Sequence, residues 1–111
     1  FLLDVEMPYL YSVTRKKKFR IAVRFSEYEN IDIAKFFVNK AEWVWIDTVT
    51  KIPINKNNIQ VLKKFKSCLV CPERWGRKKD IFKYKKIMNK FNFKPNAVMT
   101  NISYAKMWEE F

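Results

Sequence analysis

Side chains that could bind ions recur at the ends of short apolar runs in this 111-residue sequence. A carboxylate binds hard cations, and an arginine contacts phosphate oxygens through a planar fork of N–H donors. Because ligands of parallel α/β folds bind at the carboxyl ends of the strands, these run ends are where the sequence predicts a site. The polar residues that close the runs are Asp4 with Glu6, Arg24 with Ser26, Asp47, Glu73, and Thr100 with Asn101.

Residue types that are missing from the composition exclude several classes of enzyme. The sequence has no histidine, so no Ser-His-Asp triad, Cys-His pair or imidazole metal ligand can form within it. Gly76 is the only glycine. This excludes a phosphate-binding P-loop and a dinucleotide fingerprint, because both need several glycines in one short loop.

Cys68 and Cys71 have the C-x-x-C spacing of zinc sites and redox motifs. A structural zinc site needs four ligands, and the sequence offers neither a second cysteine pair nor a histidine. Residues 66–70 are predicted to form a buried strand, on which positions three apart point to opposite faces. We therefore interpret both cysteines as core residues of a protein in a reducing compartment, the cytoplasm.

Apolar runs alternate with helical patterns along the chain. Residues 43–46 are apolar at every position, which is typical of parallel strands covered by helices. Period-two alternation places Arg24 with Ala22 on one face of a strand, and Asp47 with Trp43 and Trp45 on one face of the next. The sequence therefore predicts one domain over residues 1–111, an α/β fold with a parallel sheet. Predicted strands cover residues 1–6, 19–25, 42–49, 66–71 and 96–100, and predicted helices cover residues 8–16, 31–40, 55–65, 78–91 and 103–110.

The formal net charge of +12 lies almost entirely in the second half of the chain. Residues 51–111 hold 15 basic and 4 acidic side chains, whereas residues 1–50 hold 8 and 7. Phosphate recognition relies on bidentate arginine, and only 5 of the basic residues are arginines. We therefore favour a solvated lysine surface over a dedicated polyanion site. No apolar run reaches the roughly 18 residues of a membrane span, so no transmembrane segment is predicted.

Two of the apolar runs resemble motifs of the glycerophosphodiester phosphodiesterases, whose TIM barrel is shared by the phosphatidylinositol-specific phospholipases C. Leu3-Asp4-Val5-Glu6-Met7 resembles the family's mid-barrel strand, apolar-Asn-Ile-Glu-Ile-Lys, with Glu6 in the acidic position. Asn96-Ala97-Val98-Met99-Thr100-Asn101 is similar to its last strand, Asp-Gly-apolar-apolar-Thr-Asp. Three further strands lie between these two in each case. The resemblance implies that the chain is a fragment, strands four to eight of such a barrel.

The resemblance also implies an activity, the metal-assisted hydrolysis of glycerophosphodiesters or related lipid head groups. A divalent cation, Ca²⁺ or Mg²⁺, would take Glu6 as a ligand. Arg24 would contact a phosphate oxygen of a small phosphodiester substrate. Asp47 or Glu73 would position a hydroxyl or a second cation, and Trp75 would line the mouth of the pocket.

The chain departs from the family's pattern at positions that matter for catalysis. Pro8 stands where the family has a lysine two residues after its glutamate, and Asn101 stands where it has a final aspartate. The His-Arg and Glu-x-Asp motifs that supply the family's general acid/base and most of its metal ligands have no counterpart in the sequence. We therefore predict no catalytic residue in this chain and no activity from the chain alone.

Two further interpretations remain open. Five βα units in about 110 residues is the usual size of a flavodoxin-like domain, a doubly wound five-stranded sheet that would serve as a binding or signalling module. The missing Gly-rich first loop argues against a nucleotide or flavin there. The basic second half could instead bind a polyanion, although no recognised nucleic-acid motif supports that partner. Arg24 could also pair with Glu6 or Glu27 instead of a substrate, and Trp75 could be a packing residue.

Overall fold

The computed structural model describes residues 22–109, which form a four-stranded parallel sheet whose strands alternate with helices. This is the predicted α/β fold with parallel βα units. The predicted strand over residues 1–6, the predicted helix over 8–16 and Glu6 lie outside the described residues. The strands are β1 (Ala22–Phe25), β2 (Trp43–Ile46), β3 (Lys66–Val70) and β4 (Ala97–Met99). The α-helices are α1 (Ile31–Phe36), α2 (Ile59–Leu62), α3 (Asp80–Lys90) and α4 (Ala105–Trp108), and 3₁₀-helices span Pro72–Trp75 and Ile102–Tyr104.

The strands lie in the sheet in the order in which they occur along the chain, β1-β2-β3-β4. Ala22 is in register with Trp43, and Cys68 is in register with Ala97. A flavodoxin-like sheet places its first strand between its second and third, so the second and third strands cannot pair. The direct pairing of β1 with β2 makes the flavodoxin-like alternative wrong. Consecutive order is the order of successive strands in a βα-barrel.

One face of the sheet packs against the helices and forms the hydrophobic core. Connections between adjacent parallel strands are right-handed, so a consecutive strand order places the helices on one face. On that face, alternate strand residues join helix residues in a single buried cluster; its fully buried members include Val23, Val44, Ile46, Leu62, Leu69, Ile81 and Met88. The opposite face, called the second face below, carries Ala22, Arg24, Trp43, Trp45, Lys66, Cys68, Val70, Ala97 and Met99.

All four α-helices are shorter than the periodicity predicts, and in three of them an asparagine lies at or near the altered end. α1 ends at Phe36 instead of residue 40, and Asn39 then takes a left-handed backbone with φ of 69°. The predicted helix over 55–65 begins only at Ile59, because the side chain of Asn55 accepts bonds from the backbone of a turn at residues 55–58. The predicted helix over 103–110 is a 3₁₀-helix followed by α4, and Asn101 caps the first with a bond from the Ser103 N–H. Asparagine side chains compete in this way with continued helix.

Candidate functional site

The predicted site residues within the described range follow the carboxyl ends of the strands. Because the strands are parallel, their carboxyl ends meet at one edge of the sheet. Arg24 lies near the end of β1, Asp47 directly follows β2, Glu73 lies in the 3₁₀-helix after β3, and Thr100 follows β4. The structure brings them together in two clusters, one around Asp47 and the other around Glu73.

The first cluster is an ion pair between Arg24 and Asp47. The Nη2 atom of Arg24 lies 3.2 Å from Oδ2 of Asp47, within hydrogen-bond distance. The Asp47 side chain is buried, at 5% exposed, whereas the Arg24 side chain is 52% exposed. Oδ1 of Asp47 accepts the Thr48 N–H at 2.8 Å, so each carboxylate oxygen has a donor. The cluster therefore consists of a buried anchor and an accessible guanidinium.

The backbone of β2 fixes where this anchor lies. The Asp47 N–H donates to the Phe25 carbonyl at 2.8 Å, which continues the β1-β2 pairing by one residue. Asp47 thus keeps the strand alternation and shares the second face with Trp45, as the sequence predicts. Trp45 is in register with Arg24, and its side chain is half-buried. Trp45 and Arg24 are therefore cross-strand neighbours on the same face, and the sequence did not predict Trp45 as part of the site.

Glu27, considered as a partner of Arg24, lies elsewhere in the structure. Its two carboxylate oxygens accept the backbone N–H groups of Thr50 and Lys51 at 3.3 and 3.2 Å. Glu27 therefore connects the loop after β2 to the end of β1, and Arg24 pairs with Asp47 instead. Pairing of Arg24 with Glu6 involves a residue outside the described range.

The second cluster surrounds the carboxylate of Glu73. Its Oε1 atom accepts hydrogen bonds from the Thr100 hydroxyl and from Nε1 of Trp108, the latter at 3.2 Å. Its Oε2 atom is buried and has no hydrogen-bond partner within residues 22–109. Glu73 also lines a cavity of about 330 Å³ over the ends of β3 and β4, together with Cys71, Met99 and Tyr104. Glu73 thus links β4 and α4 to the 3₁₀-helix after β3, a structural role that the sequence did not predict.

Trp75 is the last residue of the 3₁₀-helix and is 42% exposed. The guanidinium carbon of Arg74 lies 5.5 Å from the centroid of the Trp75 ring, which is a cation–π distance. The described contact of Trp75 is thus with an adjacent residue of its own helix. The structure does not bring Trp75 together with the Arg24–Asp47 pair.

Arg77 is a polar residue of this edge that the sequence interpretation missed. Its guanidinium donates to the carbonyl of Thr48, to the carbonyl of Val49 at 3.2 Å and to the hydroxyl of Tyr84 at 3.2 Å. Its Nε atom lies 3.5 Å from a carboxylate oxygen of Asp80. Arg77 therefore fastens the segment after Asp47 to α3.

Gly76 provides the turn that puts Arg77 in this position. It has a φ of +79°, the left-handed conformation that glycine adopts without steric cost, and it caps the 3₁₀-helix. The N–H of Arg77 then donates to the Pro72 carbonyl at 3.1 Å. The Gly-Arg pair was the sequence signal available for this turn, but nothing in it indicated the loop that Arg77 binds.

Both cysteines are free and buried. Cys68 lies on the second face in register with Trp45, whereas Cys71 follows β3 and belongs to the core cluster with the helices. The two thiols thus belong to opposite faces, as predicted. Burial raises the pKa of each thiol, which keeps both protonated and weakly nucleophilic near neutral pH.

The described residues do not by themselves fit a divalent cation. No group of three or more His, Cys, Asp or Glu side chains that could hold a metal occurs within residues 22–109. Both oxygens of Asp47 already accept hydrogen bonds, and Glu73 offers a single buried oxygen without a partner. Ca²⁺ takes six to eight oxygen ligands that include carboxylates, and Mg²⁺ takes one or two carboxylates together with several waters. The prediction of Ca²⁺ or Mg²⁺ therefore depends on Glu6, which lies outside the described residues.

Comparison with known proteins finds no matching family model, no matching curated protein and no matching solved structure. The resemblance to the glycerophosphodiester phosphodiesterases therefore stays a prediction. Within residues 22–109, none of the helices has the length and apolar character needed to cross a membrane.

Proposed function

We propose that this chain is part of a phosphodiester hydrolase acting on glycerophosphodiesters or related lipid head groups, and that Arg24 contacts the phosphate of the substrate. The observation that carries the proposal is the Arg24–Asp47 pair, an accessible guanidinium held by a buried carboxylate at the carboxyl edge of a parallel sheet. The consecutive strand order supports the proposal too, since it is the order of strands in a βα-barrel. In such a barrel the face opposite the helices is the interior, and Arg24 lies on that face.

Asp47 prepares Arg24 for a phosphate in two ways. It engages Nη2 of the guanidinium, which leaves the other N–H donors of Arg24 for an anion. It also fixes the orientation of a long side chain that is half exposed, so less conformational entropy is lost when the phosphate binds. A phosphodiester carries two non-bridging oxygens, and a planar fork of donors matches them better than a single ammonium does.

Trp45 would complete the recognition of a phosphodiester that carries an apolar or cationic head group. Its half-buried indole lies in register with Arg24 on the second face. An aromatic ring next to a phosphate contact offers an apolar surface to a glycerol backbone and a π-face to a quaternary ammonium group. This combination favours a small amphiphilic phosphodiester over inorganic phosphate.

Catalysis would need groups that the described residues do not supply. In the proposed hydrolase a divalent cation would neutralise charge on the phosphate, with Glu6 as one ligand. Proton transfer in the family relies on a histidine, and this chain has none. We therefore expect the 111-residue chain to bind a phosphodiester without hydrolysing it. The free, buried cysteines favour the cytoplasm as its compartment.

Titration calorimetry with glycerophosphocholine, a simple glycerophosphodiester, tests this proposal. Arg24→Lys replaces the fork by a point charge, and we expect it to weaken binding about tenfold, the cost of one good charge-assisted bond. Arg74→Lys is the matched control because it makes the same change at another exposed arginine. Equal affinity in the two variants, with both folded by circular dichroism, would contradict the proposed role of Arg24.

A further inference from the structure

α3 separates its side chains into an inner and an outer face. Its buried residues, Ile81, Tyr84 and Met88, recur at helical spacing and pack into the core. Positions 79, 82, 83, 86 and 90 lie on the opposite side of the helix, because each residue turns about 100° around the axis. Lys79 immediately precedes α3 and already has helical backbone angles. We call these residues, Lys79, Phe82, Lys83, Lys86 and Lys90, the α3 outer face.

The four lysines of the α3 outer face are exposed, and none of them forms an ion pair with a carboxylate of residues 22–109. Ion pairs within residues 22–109 join Arg24 to Asp47, Lys66 to Glu42 and Arg77 to Asp80. Asp80 is the one acidic residue of α3, and its partner Arg77 lies outside the outer face. The lysines succeed one another at intervals of four, three and four residues, a row about 16 Å long at 1.5 Å per residue. The row therefore concentrates positive charge on one side of α3, where the described acids form no ion pair with it.

Phe82 lies within this row and is 56% exposed. The ammonium of Lys85 lies 5.8 Å from its ring centroid. An aromatic side chain on the solvent side of a helix is not stabilised by burial in the core. Exposed aromatic side chains flanked by basic residues are typical of helices that bind membrane surfaces. The α3 outer face thus combines charge with one apolar anchor.

We propose that the α3 outer face docks on a membrane surface that contains anionic lipids. Charge complementarity identifies the partner: four lysines on one helix face are attracted to anionic head groups without needing defined geometry. A convex helix surface also fits a flat bilayer, whereas proteins that bind single-stranded nucleic acids do so in grooves lined with aromatic side chains. Lysine in place of arginine points the same way, because nucleic-acid recognition favours the bidentate guanidinium. Phe82 enters the interface between head groups and acyl chains.

This proposal does not depend on the Arg24 site. α3 and the Arg24–Asp47 pair involve different residues, and either could be present without the other. The docking surface would hold the protein at a bilayer without any transmembrane helix, through a contact that salt weakens.

Vesicle co-sedimentation of the 111-residue chain tests the proposal, with phosphatidylcholine vesicles that either contain or lack phosphatidylserine. We expect binding only to the phosphatidylserine vesicles, and its loss when salt is raised from about 0.1 M to about 1 M, because the Debye length then falls to about 3 Å. A variant with Lys79, Lys83, Lys86 and Lys90 all changed to Gln should bind at least a hundredfold more weakly, since each lysine near an anionic surface contributes about fivefold. Phe82→Ala should bind more weakly than the native chain at equal charge.

The matched control changes Lys35, Lys51, Lys56 and Lys64 to Gln, which removes the same number of charges from exposed positions outside α3. Circular dichroism confirms that each variant is folded. Equal loss of binding in the two lysine variants would show that net charge alone is responsible and would overturn the proposal. The proposal would also be overturned if the chain bound a single-stranded oligonucleotide through the α3 lysines but did not sediment with anionic vesicles.

Discussion

The carboxylate of Asp47, buried at the end of β2, holds the half-exposed guanidinium of Arg24 on β1 at 3.2 Å. The sequence predicted both residues at a common edge of the sheet but did not predict that they pair. Their pairing decides what each can do. Asp47 accepts hydrogen bonds from Arg24 and from the Thr48 N–H, so both of its carboxylate oxygens already have a donor.

The role of Asp47 as an anchor predicts a combined loss of stability and affinity in Asp47→Ala. Removing a buried acceptor of two hydrogen bonds should lower the free energy of unfolding by about 1–3 kcal/mol, because the Thr48 N–H loses its partner. The freed Arg24 should bind glycerophosphocholine more weakly. Urea unfolding and calorimetry measure the two effects. Asp32→Ala, at an exposed first-turn acid of α1, is the control and should change both by little. Unchanged affinity in a folded Asp47→Ala variant would show that Arg24 needs no anchor.

The bonds that Arg77 makes predict a large stability loss in Arg77→Met, which keeps the length of the side chain but removes its donors. The carbonyls of Thr48 and Val49 and the hydroxyl of Tyr84 would lose their donor, at a cost of about 2–4 kcal/mol. Arg74→Met, at an exposed arginine three residues earlier, should cost less than about 0.5 kcal/mol. Thermal unfolding of both variants compares them. Similar midpoints would mean that Arg77 does not fasten the loop.

The geometry around Glu73 predicts that Gln replaces it better than Ala does. Gln keeps an oxygen that can accept from Thr100 and Trp108, whereas Ala removes it and leaves the indole N–H unpaired. We expect Glu73→Ala to lower the free energy of unfolding by at least about 1 kcal/mol more than Glu73→Gln does. Urea midpoints decide this, and equal losses would indicate that the negative charge of Glu73, not its acceptor oxygen, stabilises the fold.

Three buried groups predict a loss of stability in alkaline solution. Burial raises the pKa of Cys68, Cys71 and Tyr84 above their ordinary values. In the unfolded chain these groups lose their protons first, near about pH 8.5 for cysteine and about pH 10 for tyrosine. The contribution of these groups to the free energy of unfolding is therefore fully present below the pKa values of the unfolded chain. It is lost as the pH rises above them towards the higher pKa values of the folded chain.

Comparison with a double variant, Cys68→Ala with Cys71→Ala, isolates the contribution of the thiols from the titration of the many lysines. The difference in urea midpoint between the native chain and this variant should shrink or reverse between about pH 8 and about pH 10. A constant difference across that range would show that the thiol pKa values are alike in the folded and unfolded chains.

The fold class was predictable because short apolar runs alternate regularly with helical patterns along the chain, as expected for parallel strands covered by helices. Residues 43–46 are apolar at every position, and in the structure Val44 and Ile46 are buried in the core while Trp43 and Trp45 are half-buried on the second face. Helix lengths were not predictable to the same degree. Asn55 and Asn101 offer side-chain acceptors to nearby N–H groups, and whether such bonds replace a helical turn depends on the surrounding packing.

The position of the candidate site residues at the strand ends was predictable, but their contacts were not. Placing Arg24 and Asp47 at one edge needs only the strand ends, which periodicity gives. That Glu73 contacts Trp108, 35 positions further along the chain, depends on the three-dimensional path of the chain, which a local sequence pattern does not specify. Arg77 was missed for the same reason, since its partners after β2 are 28 and 29 positions away.

The contact between Arg24 and a substrate phosphate is tested most directly by NMR of the Arg24 side-chain N–H groups during titration with glycerophosphocholine. These resonances are assigned by their loss in Arg24→Lys. If Arg24 contacts the phosphate, its resonances should shift with the same dissociation constant that calorimetry gives, while those of Arg74 stay unchanged. Saturable binding by calorimetry without any movement of the Arg24 resonances would show that Arg24 does not contact the phosphate.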